Sequence, residues 1–173
     1  MSTMNETIEI PADAESRVRD DHHDALRLWL RLITCTMLIE GRIRTRLRES
    51  FATTLPRFDL MAQLERHPEG LRMGELSRRM MVTGGNVTGI TAALVKEGLV
   101  ERRAIAGDRR AHAVRLTAAG KRAFDAMATE HERWVKEMMA GLGDADRDRL
   151  HALLGRLKKS MAAEAAAAGG GNP

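Results

Sequence analysis

Residues 70–122 read GLRMGELSRRMMVTGGNVTGITAALVKEGLVERRAIAGDRRAHAVRLTAAGKR, and the order of elements in this stretch decides the fold. Met73–Met81 and Thr83–Gly98 carry apolar residues at helical spacing and meet at a tight turn. Leu99–Ala104 and His112–Leu116 alternate as strands do, with Ala106-Gly107-Asp108-Arg109 as the turn between them. Two short helices followed by a hairpin give the outline of a winged helix-turn-helix, a device for reading DNA. Leu71 to Arg122 holds eleven basic and four acidic residues, a net +7, whereas the whole chain is only +4.

The rest of the chain sets bounds around this motif. At 173 residues, 43% hydrophobic and 30% charged, it has the size and composition of one soluble domain with a real core. No apolar run reaches the roughly 18 residues that a membrane helix needs. The acidic start MSTMNETIEIPADAE lacks the basic end and apolar centre of a signal peptide, so a cytoplasmic location is expected. A single cysteine, which cannot form an internal disulfide, agrees with a reducing compartment. Residues 1–24 hold seven acids and two bases, leaving a net +9 on the remainder. A basic body of this kind suits a polyanionic partner.

The flanking segments divide the chain further. Residues 1–20 read as a disordered acidic arm, 21–55 and 118–165 as dimerisation helices, 56–117 as the DNA-binding region, and 166–173 as a flexible tail. Asp21–Ser50 is one long helix with two apolar rows. One row is Leu26, Trp29, Leu30, Ile33 and Met37; the other is Leu28, Leu32, Cys35, Ile39, Ile43 and Leu47. A helix with two apolar faces needs cover on both sides. Pro56 starts a second helix that Pro68-Glu69-Gly70 ends. Thr117 caps a fifth helix, and Asp144 a sixth with a stripe of Leu150, Leu153, Leu154, Leu157 and Met161. The expected fold is therefore mainly α, with six helices and a small β-wing. The first and last helices carry enough spare apolar surface to build a homodimer.

In the second helix of the motif, Val87, Ile90 and Leu94 point inward, while Gly85, Gly89 and Ala92 face out beside Thr88 and Lys96. Mid-helix glycine costs about 1 kcal/mol relative to alanine, so Gly89 calls for an explanation. Close approach of bare backbone to the groove is one, with Thr83, Gly84, Asn86 and Thr88 bonding phosphates or bases. Tight packing between helices is the other. At the hairpin tip, Arg109 and Arg110 suit a narrow minor groove, one of them oriented by Asp108. Arg78 and Arg79 add charge on the supporting helix.

GELSRRMMVTGGNVTGITAALVKEGLVERR, followed by GDRRAHAVRLTAAG, resembles the MarR family of bacterial transcription regulators. The matching pieces are the D-x-R of Asp108 and Arg110, the L-T-x-x-G of Leu116, Thr117 and Gly120, and the G-L-V of Gly98, Leu99 and Val100. The likeness extends over residues 22–162. It implies a homodimer that binds double-stranded operator DNA, usually as a repressor, with a small effector between the dimerisation and DNA-binding regions. Gly89 departs from the pattern, since many members carry a longer polar or basic residue there. The stretch from RLWLRLITCTMLIEGRIRTRLRESF onward is similar to the subgroup that answers hydroxycinnamoyl-CoA thioesters in aromatic acid catabolism. Such an effector needs cations for its phosphates and an apolar slot. Arg42 and Arg46 share one helix face, Arg44 and Arg48 nearly the opposite one; Trp29, Met37, Phe51 and Phe58 are candidates for the slot. An ordinary solvated face and plain core are the alternative for both sets.

Other readings stay open. The effector is a free phenolic acid, or the signal is oxidation at Cys35, although the apolar row around Cys35 predicts a buried, inert thiol. The chain also has no tyrosine, the residue with which peroxide sensors of this family engage the cysteine. A nonspecific architectural DNA binder is more distant. No phosphate loop, nucleophile motif or metal-ligand spacing marks an enzyme, a metal site or a resident cofactor.

Overall fold

The computed structural model describes residues 23–80, 84–105 and 108–169. In chain order the elements are α1 (Asp24–Phe51), α2 (Leu55–Glu65), β1 (Leu71–Arg72), α3 (Met73–Met80), α4 (Gly84–Lys96), β2 (Val100–Ile105), β3 (Asp108–Leu116), α5 (Ala118–Met138) and α6 (Asp144–Gly169). The chain divides into two compact units within α5, residues 1–127 and 128–173. The acidic arm expected over residues 1–20 lies outside the described residues.

In the first unit, α1 ends where Ala52 turns left-handed at φ 49°. The Ala52 and Thr53 N–H groups then donate to the Arg48 and Leu47 carbonyls, closing the last turn. Pro56 sits in the first turn of α2, where a missing N–H costs nothing. Beyond α2, Gly70 takes φ +93°. A Cβ there would lie 2.9 Å from the Val114 carbonyl oxygen, so only glycine lets the chain pass this close to β3.

That passage creates β1, which the sequence reading did not contain: two residues are too few to show alternation. Leu71 pairs with Val114 and Arg72 with Ala113, giving an antiparallel sheet of order β1-β3-β2 rather than a simple hairpin. Leu47 of α1, Leu60, Met61 and Leu64 of α2, Leu76 of α3, Val87 and Leu94 of α4, and Val100 and Val114 of the sheet are all closed to solvent. Among them they form the buried core of this unit. A perfectly periodic helix pattern did not foresee Thr91, which is fully buried in α4 where Ile90 was expected. The inward row is Val87, Thr91 and Leu94, with Ile90 at its edge.

Thr117 caps α5 as its position suggests. Its hydroxyl accepts from the Gly120 N–H at 3.0 Å and donates to the Gly98 carbonyl at 2.7 Å. In the second unit, α6 begins at Asp144 itself, and the Gly143 carbonyl takes the first helical hydrogen bond, from Arg147. Asp144 is thus a first-turn acid paired with Arg147, not the cap. The run Ala162–Ala168 continues the helix to Gly169, so residues 166–169 of the expected tail are helical, and residues 170–173 lie outside the described residues. Alanine's high helix propensity accounts for the extension. Trp134, absent from the sequence-derived core, is buried.

Candidate nucleic-acid interface

The candidate reading helix, α4, is anchored along one side only. Val87, Thr91 and Leu94 are closed to solvent, whereas Gly85, Asn86, Thr88, Gly89 and Ala92 are exposed. Thr83 lies outside the described residues, and Gly84 opens the helix. A Cβ added at Gly85 or Gly89 would meet nothing within 4 Å. Tight packing inside the chain therefore does not explain Gly89. Its bare backbone faces open space, as close approach to a groove requires.

The far end of α4 is pinned. Glu97, one residue beyond it, pairs with Arg57 of α2 across the helix contact. Arg57 Nε is buried with no hydrogen-bond partner, so Glu97 alone compensates this guanidinium among the described residues. Removing the carboxylate would strand a partly buried charge. On α3, Arg79 is engaged by Glu75 at 2.8 Å, an exposed pair of small energetic value. That bond also holds the Glu75 carboxyl below its usual range. Arg78 is exposed and has no ion-pair partner among the described residues.

The hairpin carries the second candidate contact. Asp108, Arg109 and Arg110 belong to the backbone of β3, so the strand begins earlier than its alternation suggested. Their side chains lie outside the described residues, as do 106 and 107 at the tip. Below the tip the pairing shifts register: Ala104 faces His112 and Ile105 faces Asp108, so the extra residues lie on β3. Between the hairpin and the helices lies a cavity of about 430 Å³ lined by Met73, Thr88, Arg102, His112 and Val114. Sequence reading passed over Arg102 and His112. The signal was there: strand alternation puts Arg102 on the same side as Val100, which packs toward α4.

The candidate effector residues do not converge as clearly. Arg42, Arg44 and Arg48 are exposed and Arg46 half-buried, and Arg44 donates to Glu40 at 2.6 Å. Trp29 and Met37 are 55% and 68% exposed, Phe51 is half-buried, and Phe58 is in the core with its ring stacked 5.5 Å from that of Phe124. None of these eight lines the hairpin cavity or the one of about 260 Å³ between the α2 and α5 ends. Cys35 overturns an expectation: it is exposed, not buried. Its apolar row becomes buried only at Ile43 and Leu47, two turns further on. No group of His, Cys, Asp and Glu among the described residues is placed to hold a metal ion, and no described helix is long and apolar enough to cross a membrane.

A reading helix held by its inner row, a supporting helix before it and a two-stranded wing after it, paired at its base with β1, define a winged helix-turn-helix protein. The profile of the MarR family matches residues 53–111, the span from the start of α2 to the upper part of β3. The chain is 34% identical to a MarR family transcriptional regulator from Silicibacter pomeroyi of known crystal structure, with 82% of this chain and 98% of that one aligned at a TM-score of 0.69. It belongs to the MarR family. It is 26% identical over 106 residues to the HTH-type transcriptional regulator PecS of Dickeya dadantii, covering 60% of this chain and 64% of PecS. Its fold is also that of Sco3205, a MarR family regulator from Streptomyces coelicolor solved in complex with DNA, at 21% identity, 78% and 88% coverage, and a TM-score of 0.67. The matched stretches span between 58% and 64% of the length of the curated relatives.

Proposed function

We propose that this protein is a DNA-binding transcriptional regulator, acting as a homodimer on a pseudo-palindromic operator and released from it by an aromatic acyl-CoA thioester. The observation that carries the DNA-binding part is the outward arc of α4. Gly85, Asn86, Thr88 and Gly89 are exposed with open space over both glycines, while the helix is fixed from behind by buried side chains. The homodimer is supported by α1 and α6, which leave Leu28, Trp29, Met37, Leu153 and Met161 at least 49% exposed. Two-fold symmetry would set two reading helices about 34–36 Å apart, one turn of duplex. Repression relieved by the effector, and control of aromatic acid catabolism, complete the reading. The exposed arginines of α1 are its candidate phosphate ligands.

Selection from a randomised duplex pool tests the first part. Enrichment of an inverted repeat bound at least about 10³ times more tightly than bulk DNA is the expected result. A pool that yields no preferred sequence leaves only the architectural reading. Thermal shift with p-coumaroyl-CoA, feruloyl-CoA and their free acids tests the second. An effector must favour one state of the protein over another, so stabilisation by the thioesters should accompany release of the duplex. Stabilisation by the free acids alone replaces the CoA reading with the phenolic one. The exposure of Cys35 favours a second signal, oxidation at that thiol. Release of the duplex by peroxide, abolished in Cys35→Ser, is the result that would establish it.

A further inference from the structure

The reading helix is held in one way along its buried row and in another at its far end. Val87, Thr91 and Leu94 are closed to solvent. Thr91, the hydroxyl in that row, has a buried Oγ1 with no hydrogen-bond partner. Apolar burial is non-directional, so the row holds the helix down without fixing the angle at which it lies. The far end has two directed attachments. Gly98, whose φ of +72° ends the helix, accepts at its carbonyl from the Thr117 hydroxyl at 2.7 Å, and the Leu99 carbonyl accepts from the Thr117 N–H at 3.1 Å. These two bonds meet just past α4, a pivot that by itself leaves the helix free to swing. The other attachment comes from a different element: Arg57 Nη2 of α2 donates to Glu97 Oε2. Arg57 is itself firmly placed. Its N–H donates to the Thr54 carbonyl at 3.1 Å in the first turn of α2, and Phe58 beside it is buried with its ring 5.5 Å from that of Phe124. As a source of stability the pair is poor. The Arg57 side chain is mostly buried, its Nε has no hydrogen-bond partner, and a well-packed apolar pair in such a place often serves as well or better. What a charge-assisted bond supplies and an apolar contact does not is direction.

We propose that the Arg57–Glu97 pair sets the angle at which the reading helix enters the groove, so that both are positioning residues for sequence discrimination, acting through the helix and not on a base. The proposal rests on the DNA-binding reading above and deepens it. A reading helix presents its N-terminal residues to base edges, here the exposed Gly85, Asn86, Thr88 and Gly89. From Glu97 back to Gly85 the helix rises about 1.5 Å per residue, a lever roughly 18 Å long. A swing of about 5° at the far end then carries Gly85 roughly 1.6 Å, about three times the spread that a hydrogen bond tolerates. Attraction to phosphate is less exacting, because charge interactions fall off slowly with distance and supply most of non-specific binding. Release of the pair therefore costs sequence discrimination more than it costs affinity for DNA at large.

Anisotropy titrations of two fluorescein-labelled duplexes test this: one selected by the wild-type protein from a randomised pool, and its scrambled counterpart. The deciding variant is the double substitution Arg57→Met with Glu97→Leu. It removes the pair, fills its place with apolar atoms and leaves the net charge of the chain unchanged. Its urea midpoint should equal or exceed that of the wild type. Its preference for the selected duplex should nonetheless fall about tenfold, the size of one mismatched base pair. Affinity for the scrambled duplex, and the slope of log K against log salt, should stay as they were. If the double variant does not fold, Glu97→Asp decides instead: it keeps the charge on a shorter arm, and a preference several-fold lower is the expected result. An undiminished preference in the variant that decides overturns the proposal and leaves the pair a structural contact only. Equal weakening on both duplexes, with a salt slope lower by about one, also overturns it, because Arg57 is then a phosphate contact. If the wild-type protein enriches no duplex, the DNA-binding reading falls and takes the proposal with it. An enriched duplex that the variant prefers as strongly as the wild type does fells the proposal alone.

Discussion

The two ends of α1 belong to different kinds of structure. From Ile43 onward Ile43 and Leu47 are buried, Leu47 fully closed to solvent, and Phe51 is half-buried. Before Ile43 the same helix leaves Leu26, Leu28, Trp29 and Met37 at least 42% exposed, although its apolar pattern is just as regular. The difference teaches that amphipathic periodicity announces burial without naming what buries. One end of the helix finds its cover among the described residues; the other leaves large apolar side chains exposed.

The comparison breaks most violently where the winged unit is tightest. A Cβ on Gly120 would lie 1.9 Å from the Leu99 carbonyl oxygen, a backbone atom that cannot rotate away. The same carbonyl accepts from the Thr117 N–H at 3.1 Å, so α5 and the entry to β2 share one joint. Gly120→Ala should therefore cost more than the roughly 1–3 kcal/mol of ordinary overpacking, read as a lower urea midpoint. Tolerance of alanine there would mean that the joint yields. Leu47→Ala should come next, at roughly 3 kcal/mol, because it opens a cavity in a filled core. Leu28→Ala, five turns earlier on the same helix, should leave stability at high dilution nearly unchanged while reducing the dependence of the unfolding midpoint on protein concentration. Equal effects of the two leucine substitutions at high dilution would erase the distinction between the ends of α1.

Much of this was legible from residue order. Helix boundaries for α1 to α5 fall within a few residues of those read from spacing, because proline, glycine and threonine punctuate them with steric and hydrogen-bond chemistry that acts locally. The element that was missed, β1, depends on the positive φ of Gly70 and on Val114, more than forty residues away. No local signal carries such a pairing. Thr91 was passed over because its side chain is half polar, yet helix geometry gave it the inward position regardless of polarity. At the candidate site, the outward glycines could be read from periodicity alone. Arg102 and His112 could not be brought together until the register of two strands was known. The exposure of Cys35 was not legible because its apolar neighbours implied a cover that the described residues do not give it.

A smaller effect separates stability from recognition within the winged unit. Gly89→Ala meets no obstacle and replaces a poor helix former in an exposed position, so the protein should gain about 1 kcal/mol. Duplex affinity should fall at the same time, since the added methyl stands between the backbone and the groove. Higher stability together with weaker DNA binding would identify Gly89 as a concession to function. A gain in both would leave the glycine without a role in recognition.

The smallest effect lies on the α1–α2 boundary. Asp59 of α2 faces charges from α1: Glu40 and Arg44, which are themselves paired at 2.6 Å. Partial desolvation of this exposed residue by its neighbours, and then repulsion from Glu40, raises the Asp59 carboxyl above its ordinary 3.8, and attraction to Arg44 offsets only part of this. A carboxyl with a raised value binds its proton more readily in the native chain than in the unfolded one. Its contribution therefore favours the fold in acid, declines as pH rises from 3.8 through the native value, and stays unfavourable above it. Asp59→Asn removes the ionisation and should raise the unfolding midpoint slightly at neutral pH, with no comparable gain near pH 4. A lower midpoint at neutral pH would show the reverse: that Arg44 outweighs desolvation, and that Asp59 ties α2 to the part of α1 that lies just before its buried end.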